Sequence, residues 1–226
     1  MRKAIIIVGL SVLILISGLY AKRKFYNSVD KIEQAKIAIN DFAKNDELKD
    51  GDLIFQASVS EQSKAIQLAT RSKYSHCGII YRKGNDYFVL EAVQPVKRTP
   101  LDQWMARGKD GHYVIKRLKN AGQILTPSTI KNMKDMGDKW KGKNYDLYFE
   151  WSDDKIYCSE LIWKIYQRTT GVELGKLQKL SEFDLTNDIV KKKMKERYGT
   201  KIPMNEIVIS PASIFESDML STVKSN

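Results

Sequence analysis

The fold is indicated most clearly by residues 156–163, which read IYCSELIW. The polar residues 152–155 precede this segment and provide candidate caps for the start of a helix. Cys158 therefore lies in the first turn of a predicted helix, where free backbone N–H groups and the helix dipole favour a thiolate. Apolar residues follow three, four and seven positions later, so the face that carries Cys158 is expected to pack on a sheet. A buried structural cysteine fits the same pattern, and the helix alone assigns no role.

Upstream of this helix, residues 75–82 and 87–93 are predicted to form a β-hairpin. The turn between them contains a Gly-Asn pair flanked by β-forming residues, which is typical of a tight hairpin. Because side chains alternate along a strand, His76 and Cys77 point to opposite faces of the sheet. Cys77 is therefore interpreted as a small core residue.

The register of this hairpin is expected to bring Glu91 close to His76. The turn pairs Arg82 with Tyr87. Glu91 then lies opposite Gly78 and becomes a diagonal neighbour of His76. A carboxylate in this position can fix the imidazole tautomer and stabilise the charged ring. We expect the carboxylate on the face that meets the cysteine helix, although a solvated strand glutamate and a hydrogen-bonded core histidine are alternative interpretations.

The remaining segments predict an α+β fold. Periodicity predicts helices at residues 29–45, 60–72, 127–140 and 181–198, and β-forming residues predict strands at residues 53–55 and 112–118. The expected architecture is one mostly antiparallel sheet with helices packed against it. We place a single domain at residues 48–226, preceded by an amphipathic helical linker at residues 25–47.

The N-terminal segment, residues 1–24, is predicted to be a signal peptide or a membrane anchor. An uncharged run rich in Ile, Leu and Val occupies residues 4–21 and has basic residues on both sides. This run is longer than the usual core of a signal peptide and just long enough to span a bilayer, so an uncleaved anchor is preferred. We therefore expect an exported protein in a periplasmic or other extracytoplasmic compartment.

Composition narrows the possible partners. The formal net charge of +11 favours an anionic neighbour such as lipid headgroups or an acidic envelope polymer. The basic residues are scattered and form no basic helix with interleaved aromatics, so nucleic acid is not an expected partner. The two cysteines and two histidines lack paired ligand spacing, so neither a zinc site nor any other cofactor is expected. His112 follows a turn and is expected at the surface. Composition leaves the oligomeric state open.

Five segments in a fixed order resemble a known family. They are residues 51–55, 74–78, 90–93, 142–146 and 157–161. Together they resemble the YiiX/YebB-like proteins, the circularly permuted branch of the papain-like NlpC cysteine hydrolases. The resemblance covers roughly residues 48–220. In non-permuted relatives the cysteine helix comes first, whereas here His76 precedes Cys158, as the permuted branch requires.

The resemblance implies roles for individual residues. Cys158 corresponds to the nucleophile, His76 to the general base and Glu91 to the third member of a triad. Substrate-groove or structural positions are implied for Asp52, Tyr74, Tyr145, Asp146 and Tyr157. The family position after the histidine is often Thr or Met, so Cys77 is a departure from the pattern.

The implied function is hydrolysis of an amide or peptide bond, or of an ester, in the cell envelope. The substrate would be an envelope peptide or a lipid-derived molecule, because fold kinship leaves the substrate open. Two alternatives accompany this interpretation. One is a lipid acyl hydrolase or acyltransferase, which the N-terminal apolar segment and the basic charge favour. The other is a catalytically idle envelope-binding module, although such a module needs no intact Cys, His and Glu set.

Overall fold

The computed structural model describes the backbone of residues 2–226 and the side chains of residues 17, 20–24 and 26–226. The helices are α1 (Arg2–Lys44), α2 (Glu61–Thr70), α3 (Leu101–Arg107), α4 (Ala121–Ile124), α5 (Pro127–Trp140), α6 (Cys158–Thr170), α7 (Asp188–Tyr198) and α8 (Pro211–Phe215). The strands are β1 (Leu53–Gln56), β2 (His76–Lys83), β3 (Asp86–Glu91), β4 (Lys97–Pro100), β5 (Val114–Leu118), β6 (Gln178–Lys179), β7 (Ile207–Val208) and β8 (Leu220–Ser225).

The predicted signal or anchor at residues 1–24 lies mostly outside the described side chains and stays a prediction. Among the residues that the structure does describe, no helix combines the length and hydropathy that a membrane crossing needs.

An antiparallel sheet organises the domain. Its six strands follow the order β4-β3-β2-β1-β5-β8, and every neighbouring pair runs antiparallel. Strands β6 and β7 form a separate two-stranded sheet. The α+β class and the antiparallel sheet packed against helices are therefore confirmed.

Apolar side chains cover both faces of the large sheet. On one face, Leu161 of α6 belongs to the same buried cluster as Ile79 of β2. On the other face, Ile80 of β2 shares a cluster with Trp104 of α3 and Phe42 of α1. Each fully buried side chain of this kind contributes about 1.5–3 kcal/mol to folding, so both helix layers are held mainly by the hydrophobic effect.

The hairpin of β2 and β3 has the predicted register. Arg82 pairs with Tyr87, and Ile79 pairs with Leu90. A Cβ atom on Gly78 would lie 2.3 Å from Cγ1 of Val89, a distance that no real side chain tolerates. Glycine at this position is therefore required for the close approach of the two strands.

The expected position of Glu91 relative to the cysteine helix is wrong. Glu91 lies on the face covered by α3, where Trp104 Nε1 donates to its carboxylate at 2.9 Å. Helix α6 packs instead on the face that carries Cys77. Apolar residues cover both faces, so side-chain alternation predicts which residues share a face but not which helix covers it.

Candidate active site

Cys158 is the first residue of α6, and several contacts fix the start of this helix. The carboxylate of Glu160 accepts from the backbone N–H of Tyr157 at 3.4 Å, as a capping residue does. The hydroxyl of Ser159 donates to the carbonyl of Ile209 at 2.7 Å, and the phenol oxygen of Tyr157 accepts from the N–H of Ile209 at 3.1 Å. These contacts hold Cys158 at a rigid helix N-terminus, with only 3% of its surface exposed.

His76 is the first residue of β2, so its ring lies at the end of the strand. There it contacts Cys158 on one side and Glu91 on the other. The distance from His76 Nε2 to Glu91 Oε2 is 2.6 Å. Because the ring lies at the end of the strand, one imidazole can contact both a carboxylate and a thiol that lie on opposite faces of the sheet.

Glu91 is fully buried, and its carboxylate is surrounded by donors. Thr99 Oγ1 donates to Oε1 at 2.5 Å, and Arg107 Nη2 donates to Oε1 and Oε2 at 2.8 and 2.7 Å. The ring of Trp104, which also donates to Glu91, stacks on His76 with ring centroids 5.8 Å apart. A buried carboxylate requires such compensation, because an unpaired charge in this environment is very costly.

The protonation states follow from these contacts. Burial by itself would lower the pKa of His76, but hydrogen bonds with Cys158 and Glu91 raise that pKa to about 9. Burial would likewise raise the pKa of Glu91, and hydrogen bonds from His76 and Arg107 instead lower it to about 2. The imidazole is therefore protonated at neutral pH, and the carboxylate is charged.

Cys77 is a member of the site that the sequence reasoning missed. A hydrogen bond from its thiol is the largest cause that lowers the pKa of Cys158 well below its usual value, with a further contribution from His76. Burial raises the pKa of Cys77 itself well above the usual range. Cys77 is a core residue, as predicted, but it also stabilises the Cys158 thiolate. The sequence offered one indication of this role, because Cys77 lies on the strand face that an apolar helix must cover.

Thr99, Trp104 and Arg107 were also missed. Trp104 and Arg107 lie three residues apart on α3, so they share the helix face that covers Glu91. Their role depends on contacts between different segments of the chain, which local sequence patterns do not predict. The spacing of Trp104 and Arg107 predicts that they share a helix face, but it does not identify Glu91 as their partner.

Two cavities meet at the Cys158–His76 pair. Cys158 lines an apolar cavity between α2 and α7 with a volume of about 100 Å³. His76 lines a more polar groove on the other side. Gln62, Ile66 and Tyr145 border both spaces. Tyr145 and Tyr157 line the apolar cavity, so the structure brings these two predicted groove residues to the cysteine.

Two other predicted groove residues lie elsewhere. Tyr74 is buried and stacks on Phe215 with ring centroids 4.0 Å apart, so it is a core residue. Asp52 is fully buried and accepts from Arg117 Nε and Nη2 at 2.6 and 2.7 Å. Neither side chain borders the cavities at Cys158 and His76, because both are in phase with the core. For Asp52 this position agrees with the structural alternative. Asp146 is also structural, since it accepts from the backbone N–H of Tyr148 at 2.8 Å.

His112 is half-buried at the edge of a loop, where its Nδ1 atom lies 2.6 Å from the carbonyl oxygen of Asn226. It therefore takes no part in the His76 arrangement. Within the part of the chain that the structure describes, no group of three His, Cys, Asp or Glu side chains is arranged to hold a metal ion.

The ion pair between Asp52 and Arg117 supports a stability prediction. We expect Arg117→Met to lower the free energy of unfolding by about 3 kcal/mol, because it leaves a buried carboxylate without its cation. Urea denaturation measures the change. Lys131→Met, which breaks the exposed pair of Lys131 with Asp135, is the matched control and should change stability by less than about 0.5 kcal/mol. Equal losses in both variants would contradict the structural role of Asp52.

A cysteine at a helix N-terminus, a histidine at the end of an adjacent strand and a buried glutamate behind it define a papain-like cysteine hydrolase, here with the histidine first in the chain. Residues 47–224 match the family described as permuted papain-like amidase enzymes of the YaeF/YiiX, C92 family, and the chain belongs to this family. It is therefore a cysteine hydrolase of the amidase or peptidase type, as the resemblance predicted, and this class assigns an enzyme rather than an idle binding module.

Two relatives from Escherichia coli agree with this assignment. The protein described as uncharacterized protein YiiX, from strain K12, is 47% identical over 173 residues, covering 76% of this chain and 84% of the relative. The crystal structure described as metalloprotein yiiX, from strain O157:H7, superposes with a TM-score of 0.76 at 47% identity, covering 80% of this chain and 98% of that one.

Proposed function

We propose that this chain hydrolyses an amide bond through a triad of Cys158, His76 and Glu91. The observation that carries the proposal is the position of the imidazole, which contacts the Cys158 thiol and lies 2.6 Å from a fully buried carboxylate. The lowered pKa of Cys158 and the raised pKa of His76 favour a thiolate–imidazolium pair at neutral pH. A thiolate is the nucleophilic form of cysteine, so the resting site is ready to attack a carbonyl.

The reaction starts from this ion pair. The Cys158 sulfur attacks the carbonyl carbon, and backbone N–H groups at the start of α6 donate to the oxyanion. The imidazolium of His76 gives its proton to the leaving nitrogen as the C–N bond breaks, which leaves a thioester on Cys158 and a free amine. Neutral His76 then takes a proton from water, the hydroxide adds to the thioester, and the acid departs as the thiolate returns.

Glu91 keeps the imidazole oriented and balances its positive charge. Its contact with Nε2 leaves the other ring nitrogen for the cysteine. Arg107 adds a second cation beside the carboxylate and keeps it charged, since protonated glutamic acid would not stabilise an imidazolium. The surrounding donors therefore act on the reaction through Glu91.

The direct test is detection of the covalent intermediate. Purified protein is incubated with peptidoglycan fragments and with simple N-acyl amides, and the reaction is stopped in acid and analysed by mass spectrometry. The proposal expects release of an amine together with a transient acyl adduct on the peptide that contains Cys158. Amine release with an adduct elsewhere, or with no adduct in single-turnover trapping, contradicts the role of Cys158.

Thiol labelling gives a prediction about the two cysteines. We expect iodoacetamide to modify Cys158 at about pH 6, where Cys77 remains unmodified, because only the Cys158 pKa is lowered. Peptide mapping after labelling from about pH 5 to pH 9 measures both sites. The His76→Ala variant is the control and should shift the Cys158 profile to higher pH. Superimposable profiles for the two thiols would rule out the ion pair.

The envelope location is part of the proposal and rests on the uncharged run at residues 4–21. We expect a fusion of residues 1–44 to a reporter that is active only outside the cytoplasm to be active. The control fusion carries an Arg substitution in the middle of this run and should be inactive, because a central charge opposes insertion. Activity that is independent of residues 4–21 would contradict export by this segment.

A lipid-derived acyl substrate is the second candidate function. It is favoured by the apolar cavity beside Cys158, whose lining includes Ala65, Ile66, Val190 and Met194. An ester or thioester of the same acyl group would react through the same thiolate.

A further inference from the structure

Cys77 and Cys158 form a pair of cysteines in contact. Cys77 belongs to β2, Cys158 begins α6, and both side chains lie in the same buried cluster. The Cys158 sulfur accepts hydrogen bonds from the thiol and from the backbone N–H of Cys77. Because Cys77 contacts this sulfur in two ways, a bond between the two sulfur atoms needs side-chain rotation rather than a rearrangement of β2 or α6. The chain contains two cysteines, so any disulfide within it joins these residues.

The two thiols differ in reactivity and in access. Hydrogen bonds from Cys77 and His76 hold Cys158 as a thiolate, the form of cysteine that peroxides oxidise. Cys158 also lines a cavity, through which a small oxidant reaches its sulfur. Cys77 is fully buried, and burial keeps its pKa well above the usual range, so it is inert towards peroxide. Oxidation therefore begins at Cys158.

The surroundings of the oxidised sulfur favour a reaction within the chain. Only 3% of the surface of Cys158 is exposed, so a bulky external thiol approaches its sulfur less readily than Cys77, which is already in contact. The negative charge of Cys158 is itself one cause of the raised pKa of Cys77, and a neutral sulfenic acid removes this cause. Oxidation of Cys158 thus makes the neighbouring thiol easier to deprotonate.

We propose that Cys77 and Cys158 form a redox switch, in which Cys77 closes a disulfide with Cys158 after a peroxide has oxidised the nucleophile. This inference rests on the proposed amide hydrolysis, because it describes the regulation of the same sulfur. The disulfide blocks the nucleophile reversibly, whereas further oxidation of a sulfenic acid to a sulfinic acid needs a dedicated enzyme to reverse it. Cys77 therefore protects the nucleophile as well as stabilising its thiolate.

The oxidation proceeds in two steps. The Cys158 thiolate attacks one oxygen of hydrogen peroxide, the O–O bond breaks, and the departing hydroxide takes the proton of the His76 imidazolium and becomes water. The sulfur of Cys77 then attacks the Cys158 sulfur, the S–O bond breaks, and the thiol proton leaves with the hydroxyl as a second water. The sulfur pair is oxidised and the peroxide is reduced. A dithiol reverses the change by thiol–disulfide exchange and restores both thiols.

The first experiment detects the disulfide without turnover. The full-length protein is treated with hydrogen peroxide, the peroxide is removed with catalase, and the peptides are mapped by mass spectrometry. The wild type should lose two hydrogen atoms and yield a cross-linked peptide that contains Cys77 and Cys158. Labelling of Cys158 by iodoacetamide should fall at least about tenfold and return after dithiothreitol. Sulfinic acid at Cys158 without the cross-linked peptide overturns the proposal.

Cys77→Ser separates the two roles of Cys77. The serine hydroxyl still donates to the Cys158 sulfur, but it forms no disulfide. Peroxide should convert Cys158 of this variant to the sulfinic acid, and dithiothreitol should recover at least about tenfold less labelling than in the wild type. If circular dichroism shows that Cys77→Ser does not fold, Cys77→Ala tests the same point. Recovery equal to that of the wild type in a folded variant overturns the role of Cys77.

Two further variants exclude oxidation elsewhere. In Cys158→Ser, Cys77 should stay unmodified by peroxide, because its reaction depends on the oxidised neighbour. Oxidation of Cys77 in this variant overturns the proposed order of the steps. Met204→Leu combined with Met219→Leu removes two exposed methionines and is the matched control. It should form and lose the disulfide as the wild type does, because methionine oxidation is a separate reaction.

Amide turnover distinguishes the switch from the proposed hydrolysis. On an amide that the untreated wild type cleaves, kcat should fall in proportion to the cross-linked fraction and return with dithiothreitol. Hydrolysis that depends on Cys158, in a protein that forms no disulfide, overturns the switch alone. A disulfide in a protein that cleaves no amide overturns the proposed hydrolysis and leaves the oxidation chemistry of the pair in place. Unchanged turnover in fully cross-linked protein overturns both proposals.

Discussion

Cys158→Ala is expected to lower kcat for amide hydrolysis by at least about four orders of magnitude, and His76→Ala by a similar factor. The first change removes the nucleophile, and the second removes the imidazolium that protonates the leaving amine. The losses should not add in the double variant, because the two residues act as one unit. Steady-state kinetics on an amide that the wild type cleaves measures the effect, and circular dichroism checks the fold.

The chain offers a matched control for each change. His112→Ala removes the other histidine, which lies at a loop edge beside Asn226, and should keep nearly full activity. Cys77→Ala retains the nucleophile but removes the thiol that donates to it, so the acid limb of the pH profile should move to higher pH. A loss of less than about two orders of magnitude in Cys158→Ala would show that another group carries the reaction.

Glu91→Gln is expected to lower kcat by about two to four orders of magnitude. The corresponding carboxylate-to-amide change in serine proteases, a known reference case, costs about four orders through the wrong histidine tautomer. The amide also fails to balance the imidazolium, so the pKa of His76 should fall from about 9 and the alkaline limb of the activity profile should shift to lower pH. A measured pH–rate profile separates this effect from simple loss of structure.

Glu91→Gln should also lower the free energy of unfolding at neutral pH by about 3 kcal/mol. This loss is larger than a substitution at a partly buried site usually causes. Glu91 is fully buried, and Gln would leave Arg107 and His76 without their counter-ion. Its pKa is lowered from 4.5 to about 2, so its stabilisation is present above pH 4.5 and is lost as the pH falls through about 2. The difference between variant and wild type should shrink accordingly in acid.

Glu150 is exposed, follows Phe149 of the cavity lining and provides the control for this substitution. Glu150→Gln should change stability by less than about 0.5 kcal/mol and leave the pH profile in place. Full activity in Glu91→Gln would assign the orienting role to a different side chain. Asp52 does not provide that side chain, because Arg117 holds it at the far end of β1.

Local patterns were read correctly from the sequence. Cys158 lies in the first turn of a helix as predicted, because its apolar face has helical spacing. The cap was predicted among residues 152–155, whereas Tyr157 and Glu160 cap the helix. The hairpin register that brings Glu91 opposite Gly78 also follows from local information, since a tight turn leaves few ways to pair the strands. The ordered motifs were sufficient to identify the permuted family.

By itself, the sequence determined the α+β class, a helix with Cys158 in its first turn and the pairing that places Glu91 beside His76. Only the tertiary structure decided that α6 covers the face of Cys77 and that an apolar cavity opens between α2 and α7. The physical reason is that hydrophobic periodicity reports which side of an element is apolar. This sheet is apolar on both faces, so packing between distant segments had to select the helix that covers each one.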